Sequence, residues 1–93
     1  IEYLDETHPE PALLPSDPLQ KALVRAFALT IAADIHPLNN LRVLKYLQGN
    51  LHASDEQKNA WYQNWIQKGF AALEAQLAAN NDGSPFCFGD MPT

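Results

Sequence analysis

Asp34-Ile35-His36-Pro37-Leu38-Asn39-Asn40-Leu41-Arg42 interrupts one helical pattern and starts the next, and the fold is read from it. Upstream, Leu19, Leu23, Ala26, Phe27 and Thr30 make one face at helical spacing. Downstream, Leu38, Leu41, Leu44 and Leu47 resume the pattern until Gly49-Asn50 stops it. Pro37 has no N–H for the helical ladder, so the carbonyls near Ala32 and Ala33 lose their usual donors. A proline there costs roughly 3 kcal/mol or more unless the site compensates. A long helix kinked at Pro37, or two helices meeting there, both fit.

Working outward, the first helix has a clear start. Asp17 caps it, Pro18 suits its first position, and Gln20 completes a capping box. Ser54 and Gln57 form a second box, and a long helix follows to about Asn80. On it Trp61, Trp65, Gly69, Leu73 and Leu77 repeat every four residues, with Ile66 and Phe70 beside them. Asn80-Asn81-Asp82-Gly83-Ser84-Pro85 is a dense turn signal, and Phe86, Cys87 and Phe88 read as a short extended segment. At the other end, Ile1 to Thr7 reads as the tail of a helix. Residues 8–16, with three prolines, read as a stiff connector whose Ala12, Leu13 and Leu14 pack on something. The expected fold is all-α: two long helices in an antiparallel pair, the first kinked at Pro37, after the tail of a preceding helix. Gly89-Asp90-Met91-Pro92-Thr93 looks like the start of a further helix, so the expectation is a truncated piece whose core needs other elements.

Composition narrows the function. A 93-residue chain buries only roughly 60–65% of its unfolded surface, so its own core is marginal. The formal charge of −5, with no cluster of Lys or Arg, argues against nucleic acid and against an anionic membrane surface. No apolar run approaches a membrane span, and no signal peptide opens the chain. One cysteine allows no intrachain disulfide, which suits the cytoplasm. Cys87, between two phenylalanines, reads as a buried small hydrophobe rather than a nucleophile. Trp61 and Trp65 read as core. His8 and His52 read as solvated connector residues. No metal-ligand spacing, phosphate loop or dinucleotide fingerprint occurs.

The interrupted stretch concentrates the chemistry. On a regular helix His36 and Asn40 lie about 40° apart and share a face, while Arg42 sits about 160° from Asn40. Two readings follow. In one, His36 caps a helix, Asn40 satisfies backbone and Arg42 is a solvated charge. In the other, His36 and Asn40 offer donors to a carboxylate or peptide ligand. Arg42 then serves a different site, unless the kink changes the geometry.

Ile1-Glu2-Tyr3-Leu4-Asp5-Glu6 followed by Pro-Glu-Pro-Ala-Leu-Leu-Pro at 9–15 resembles the junction between the two domains of a glutathione transferase. Asp34-Ile-His-Pro-Leu-Asn-Asn-Leu-Arg-Val-Leu is similar to the zeta class in particular. So are the helix Trp61-Tyr-Gln-Asn-Trp-Ile-Gln-Lys-Gly-Phe-Ala-Ala-Leu-Glu and the segment Phe88-Gly-Asp-Met-Pro-Thr. The resemblance covers essentially the whole chain. It implies that residues 1–7 end a thioredoxin-like domain, 8–16 link the domains, and 17–93 are an incomplete all-helical C-terminal domain.

The resemblance also implies an activity: glutathione-dependent cis–trans isomerisation of maleylacetoacetate or maleylpyruvate. Thiolate addition, bond rotation and elimination give the trans product, and developing enolate charge needs donors. His36 and Asn40 match glutathione-holding positions, and Arg42 matches a position proposed for the carboxylate of a dicarboxylate substrate. A homodimer is implied. The thiol-activating segment of the family lies upstream of Ile1, so no catalytic residue falls in this chain, and the 93 residues alone should be inactive. A transferase of other specificity, including thiol-transfer or peroxidase activity, and a non-catalytic helical dimerisation module are the alternatives.

Overall fold

A computed structural model describes residues 1–80 and 82–93. Its helices are α1 (Glu2–Thr7), α2 (Pro18–Leu29), α3 (His36–Asn39), α4 (Leu41–Gly49) and α5 (Asp55–Ala79), with a π-helical segment, Thr30–Ile35, joining α2 to α3. No strand occurs among the described residues, so the expected all-α class holds.

The capping residues act largely as the sequence reading has them. The Asp17 carboxylate accepts from the Gln20 N–H, with Pro18 at the first helical position. At α5 the box is reciprocal: Ser54 Oγ accepts from the Gln57 N–H, and Gln57 Oε1 accepts from the Ser54 N–H.

The kink differs from expectation. The helix does not break at Pro37 but passes through it. Upstream, the His36 N–H donates to the Ile31 carbonyl, five residues back, so the turn is widened by one residue where the proline removes a donor. The break falls at Asn40, whose ψ of 161° is extended, and whose side chain accepts from the Val43 N–H to start α4. Proline tolerates the first turn of a helix, which is where Pro37 stands in α3.

α5 crosses the π segment and α3 in antiparallel order: Trp61 meets Leu38, and Gly69 meets Ile35. A Cβ on Gly69 would overlap Ile35 Cγ1 and Cδ1, so only glycine admits this approach. Val24, Ile35 and Leu73 are the buried apolar residues among those described. On α5, Trp61, Trp65, Ile66, Gly69 and Leu77 are half-buried around Leu73, while Phe70, expected in that stripe, is exposed. On α2 the expected face is displaced. Val24 is buried, but Leu19 and Leu23 remain exposed.

The connector folds back on α1, since Asp5 Oδ1 accepts from the Leu13 N–H at 2.6 Å, and Leu14 and Pro15 are half-buried. Arg25 on α2 donates two hydrogen bonds to the Glu2 carboxylate, at 2.6 and 2.8 Å. At the other end, Asp82 Oδ1 accepts from the Ser84 N–H and Gly83 takes a φ of 86°, as a turn requires; Asn81, part of the same turn signal, lies outside the described residues. Phe86, Cys87 and Phe88 lie in a bent segment rather than an extended one, with the Phe88 ring edge-on to Phe27 at 5.5 Å. The radius of gyration is 17.0 Å, against about 12 Å for a closed domain of this length, so the chain forms an open arrangement around a small core.

Candidate functional site

The expected site residues are brought close along the chain but not onto one helical face. His36 opens α3 and is exposed, with no side-chain hydrogen bond among the described residues. Asn40 stands between α3 and α4 and is half-buried. Arg42 is the second residue of α4, exposed and without an ion pair among the described residues. The regular-helix arithmetic fails because Asn40 is extended. Of the two ways to reconcile Asn40 with Arg42, the break changes the geometry.

Asn40 satisfies backbone, as the plainer reading has it. Its Oδ1 accepts from the Val43 N–H at 3.2 Å, and its Nδ2 donates to the Pro37 carbonyl at 3.3 Å. That leaves one amide hydrogen for a ligand. The His36 imidazole is wholly unengaged among the described residues. Tested against a peptide thiol with two carboxylates, the turn therefore fits in part: His36 offers a donor, and Asn40 one further N–H.

Sequence reasoning missed what holds this turn. Trp61 Nε1 donates to the Leu38 carbonyl at 2.9 Å, and Asn39 Nδ2 donates to the Tyr62 carbonyl at 3.1 Å. Both contacts span 23 residues, so no local spacing announces them. The one available signal was that a packed indole N–H needs an acceptor. Asn39 Oδ1 and Trp65 Nε1 are buried without a partner. Trp65 lies edge-on to Trp61 at 5.7 Å, with the Lys68 ammonium 5.2 Å from its ring centre.

Elsewhere, a cavity of about 540 Å³ lies between α2, the end of α5 and residues 82–89. Cys87 lines it and is exposed, against the expectation of burial; in the bent 86–88 segment Phe88 is half-buried against Phe27 of α2, while Phe86 and Cys87 stay exposed at the cavity. A second cavity of about 400 Å³ lies between α1 and the connector. Neither is lined by His36, Asn40 or Arg42. No group of three or more His, Cys, Asp or Glu suited to a metal occurs among the described residues. No helix among them is long and apolar enough to cross a membrane.

No family model matches the chain. It is 51% identical over 90 residues to a probable maleylacetoacetate isomerase of Vibrio cholerae, which takes in 97% of this chain and 41% of that protein. It is 46% identical over 93 residues to maleylpyruvate isomerase of Ralstonia sp., taking in 100% of this chain and 44% of that protein. Among solved structures, it superposes with a TM-score of 0.94 on holo maleylpyruvate isomerase, a bacterial glutathione S-transferase of the zeta class, at 46% identity over 99% of this chain and 43% of that one. Maleylacetoacetate isomerase of Anaeromyxobacter dehalogenans, with glutathione bound in its active site, gives a TM-score of 0.86 at 38% identity, over 99% of this chain and 40% of that one. The chain thus spans less than half the length of these relatives. Along that span its sequence and its helical fold agree with those of zeta-class glutathione transferases.

Proposed function

We propose that this chain is the helical part of a glutathione-dependent cis–trans isomerase acting on maleylacetoacetate or maleylpyruvate in the breakdown of tyrosine or other aromatic compounds. The observation that carries the reading is the unengaged His36 on a turn clamped to α5, within a chain that matches these isomerases from end to end. Residues 1–7 then close a thioredoxin-like domain, 8–16 link it, and 17–93 belong to the helical domain. Glutathione, when bound, supplies the thiol nucleophile. His36 donates to it from the start of α3, and Asn40 adds its remaining amide N–H. Arg42, exposed and unpaired, binds a carboxylate of the dicarboxylate substrate through its planar guanidinium. The thiol-activating group lies on the thioredoxin-like domain, so the 93 residues alone do not turn over substrate. The exposed apolar side chains on α2, the π segment and α4, among them Leu29, Ile31 and Leu41, suit cover by neighbouring elements and by a second copy in a cytoplasmic homodimer.

The test is isomerisation of maleylpyruvate and of maleylacetoacetate by the protein carrying the complete transferase sequence. Turnover should vanish without glutathione, and His36→Ala should weaken glutathione by about tenfold, the effect of losing a hydrogen bond to a charged group. A folded protein that binds glutathione but isomerises neither compound would establish a transferase of other specificity. Failure to bind glutathione in any assembled form would favour the interaction module.

A further inference from the structure

We infer that Asn39 and Trp61 are positioning residues for glutathione, acting through the turn that presents His36; this rests on the function proposed above. α3 is a single turn of four residues, too short to hold its own shape. It is bounded by a π segment on one side and the extended Asn40 on the other. Two bonds from α5 compensate. In an unbroken helix the Leu38 carbonyl would accept from the Arg42 N–H. The extended Asn40 takes Arg42 out of register, and the Trp61 indole N–H supplies the donor instead, at 2.9 Å. The next residue returns the contact, with the Asn39 amide donating to the Tyr62 carbonyl at 3.1 Å. Adjacent residues on each element thus exchange donors in opposite directions, which fixes both the height and the rotation of the turn against α5.

Asn39 makes this bond at a penalty. Its Oδ1 is buried with no partner, which an apolar residue of the same shape would avoid. Rotating the amide gives no relief, because the Tyr62 carbonyl requires a donor. The clasp therefore acts on the placement of the turn, and with it on His36 three residues upstream.

The experiment compares Asn39→Leu, Trp61→Phe and His36→Ala in the complete transferase. It measures KM for glutathione, kcat, calorimetric glutathione affinity and amide exchange at residues 38–43. His36→Ala should raise KM and the dissociation constant about tenfold, as above, and the two clasp variants about fivefold, the factor carried by one neutral hydrogen bond, with kcat moving less than KM in all three. Only the Asn39 and Trp61 variants should speed amide exchange in the turn. If His36→Ala weakens glutathione while neither clasp variant does, the positioning role is overturned and the His36 contact stands. If His36→Ala has no effect, both fall together. Lower melting temperatures with unchanged glutathione affinity would leave the clasp a structural device only. Asn39→Asp, which sets a carboxylate against the Tyr62 carbonyl, serves if Asn39→Leu does not fold, with the same outcomes.

Discussion

The turn at residues 35–40 and the segment at residues 1–16 are attached to the rest of the molecule by opposite means. The turn is locked by shape and by bonds between neutral groups: Ile35 is 6% exposed against Gly69, and the Trp61 and Asn39 bonds close the contact. The N-terminal segment is held by the Arg25–Glu2 pair, whose side chains are 43% and 52% exposed, and by the Asp5 bond to the connector, while Ile1, Tyr3 and Leu4 face outward. Packing of the first kind changes little with ionic strength. Ionic contacts of the second kind are screened by salt. The molecule is therefore rigid where the proposed ligand turn sits and adjustable at its N-terminal end.

The sharpest way to break that contrast is to fill the closest approach. Gly69→Val should destabilise the protein by about 1–3 kcal/mol, the usual range for overpacking, read as a drop in the urea midpoint at constant slope. A neutral result would mean that Ile35 has room to turn away. Trp61→Phe should cost about 1–2 kcal/mol, since it strands the Leu38 carbonyl, and that loss relative to the unaltered protein should not change with salt. Ser54→Ala, which removes half of the box opening α5, should cost about 1 kcal/mol in the same assay.

The smallest effect belongs to Glu2→Gln. The hydrogen bond from Arg25 holds the Glu2 carboxyl below its ordinary range, with the charge of Arg25 adding to it. A carboxyl so lowered contributes stability above its unfolded value, and that contribution is lost as pH falls through its folded value. Acidification or added salt should loosen α1 in the unaltered protein and leave Glu2→Gln unchanged, read from amide exchange at residues 2–7. Equal responses in both would show that Asp5 and packing carry the attachment.

The features legible in the sequence are those with local causes. Asp17-Pro18 and Ser54-x-x-Gln57 announce their helices because each cap reaches only three residues along the chain. The sequence points to a break at Pro37 because proline is the local signal. The π segment absorbs the missing donor, and Asn40, an ordinary capping residue, breaks the helix instead. The α2 face was misplaced for a related reason, since spacing gives a stripe but not which edge of it a neighbour covers. Cys87 between two phenylalanines reads as buried, yet in the bent segment Phe88 is half-buried against Phe27 and Cys87 is exposed. The clasp on the turn was invisible because both its bonds cross 23 residues. At the candidate site, the sequence offers backbone satisfaction by Asn40 as one of two readings but does not choose between them. Nothing in the sequence shows that Asn40 spends its oxygen on Val43.

The widened turn at Thr30–Ile35 has a consequence for how this chain can change over time. A π turn is an α-helix carrying one surplus residue, and each helical residue advances the side chains by about 100°. The segment thus acts as a phase shifter between α2 and everything after it. Deleting one residue there would restore ordinary winding, and would turn α2 by about 100° relative to Ile35, His36 and the α5 face that holds them. Point substitutions within 30–35 leave that phase intact, whereas a one-codon deletion resets it.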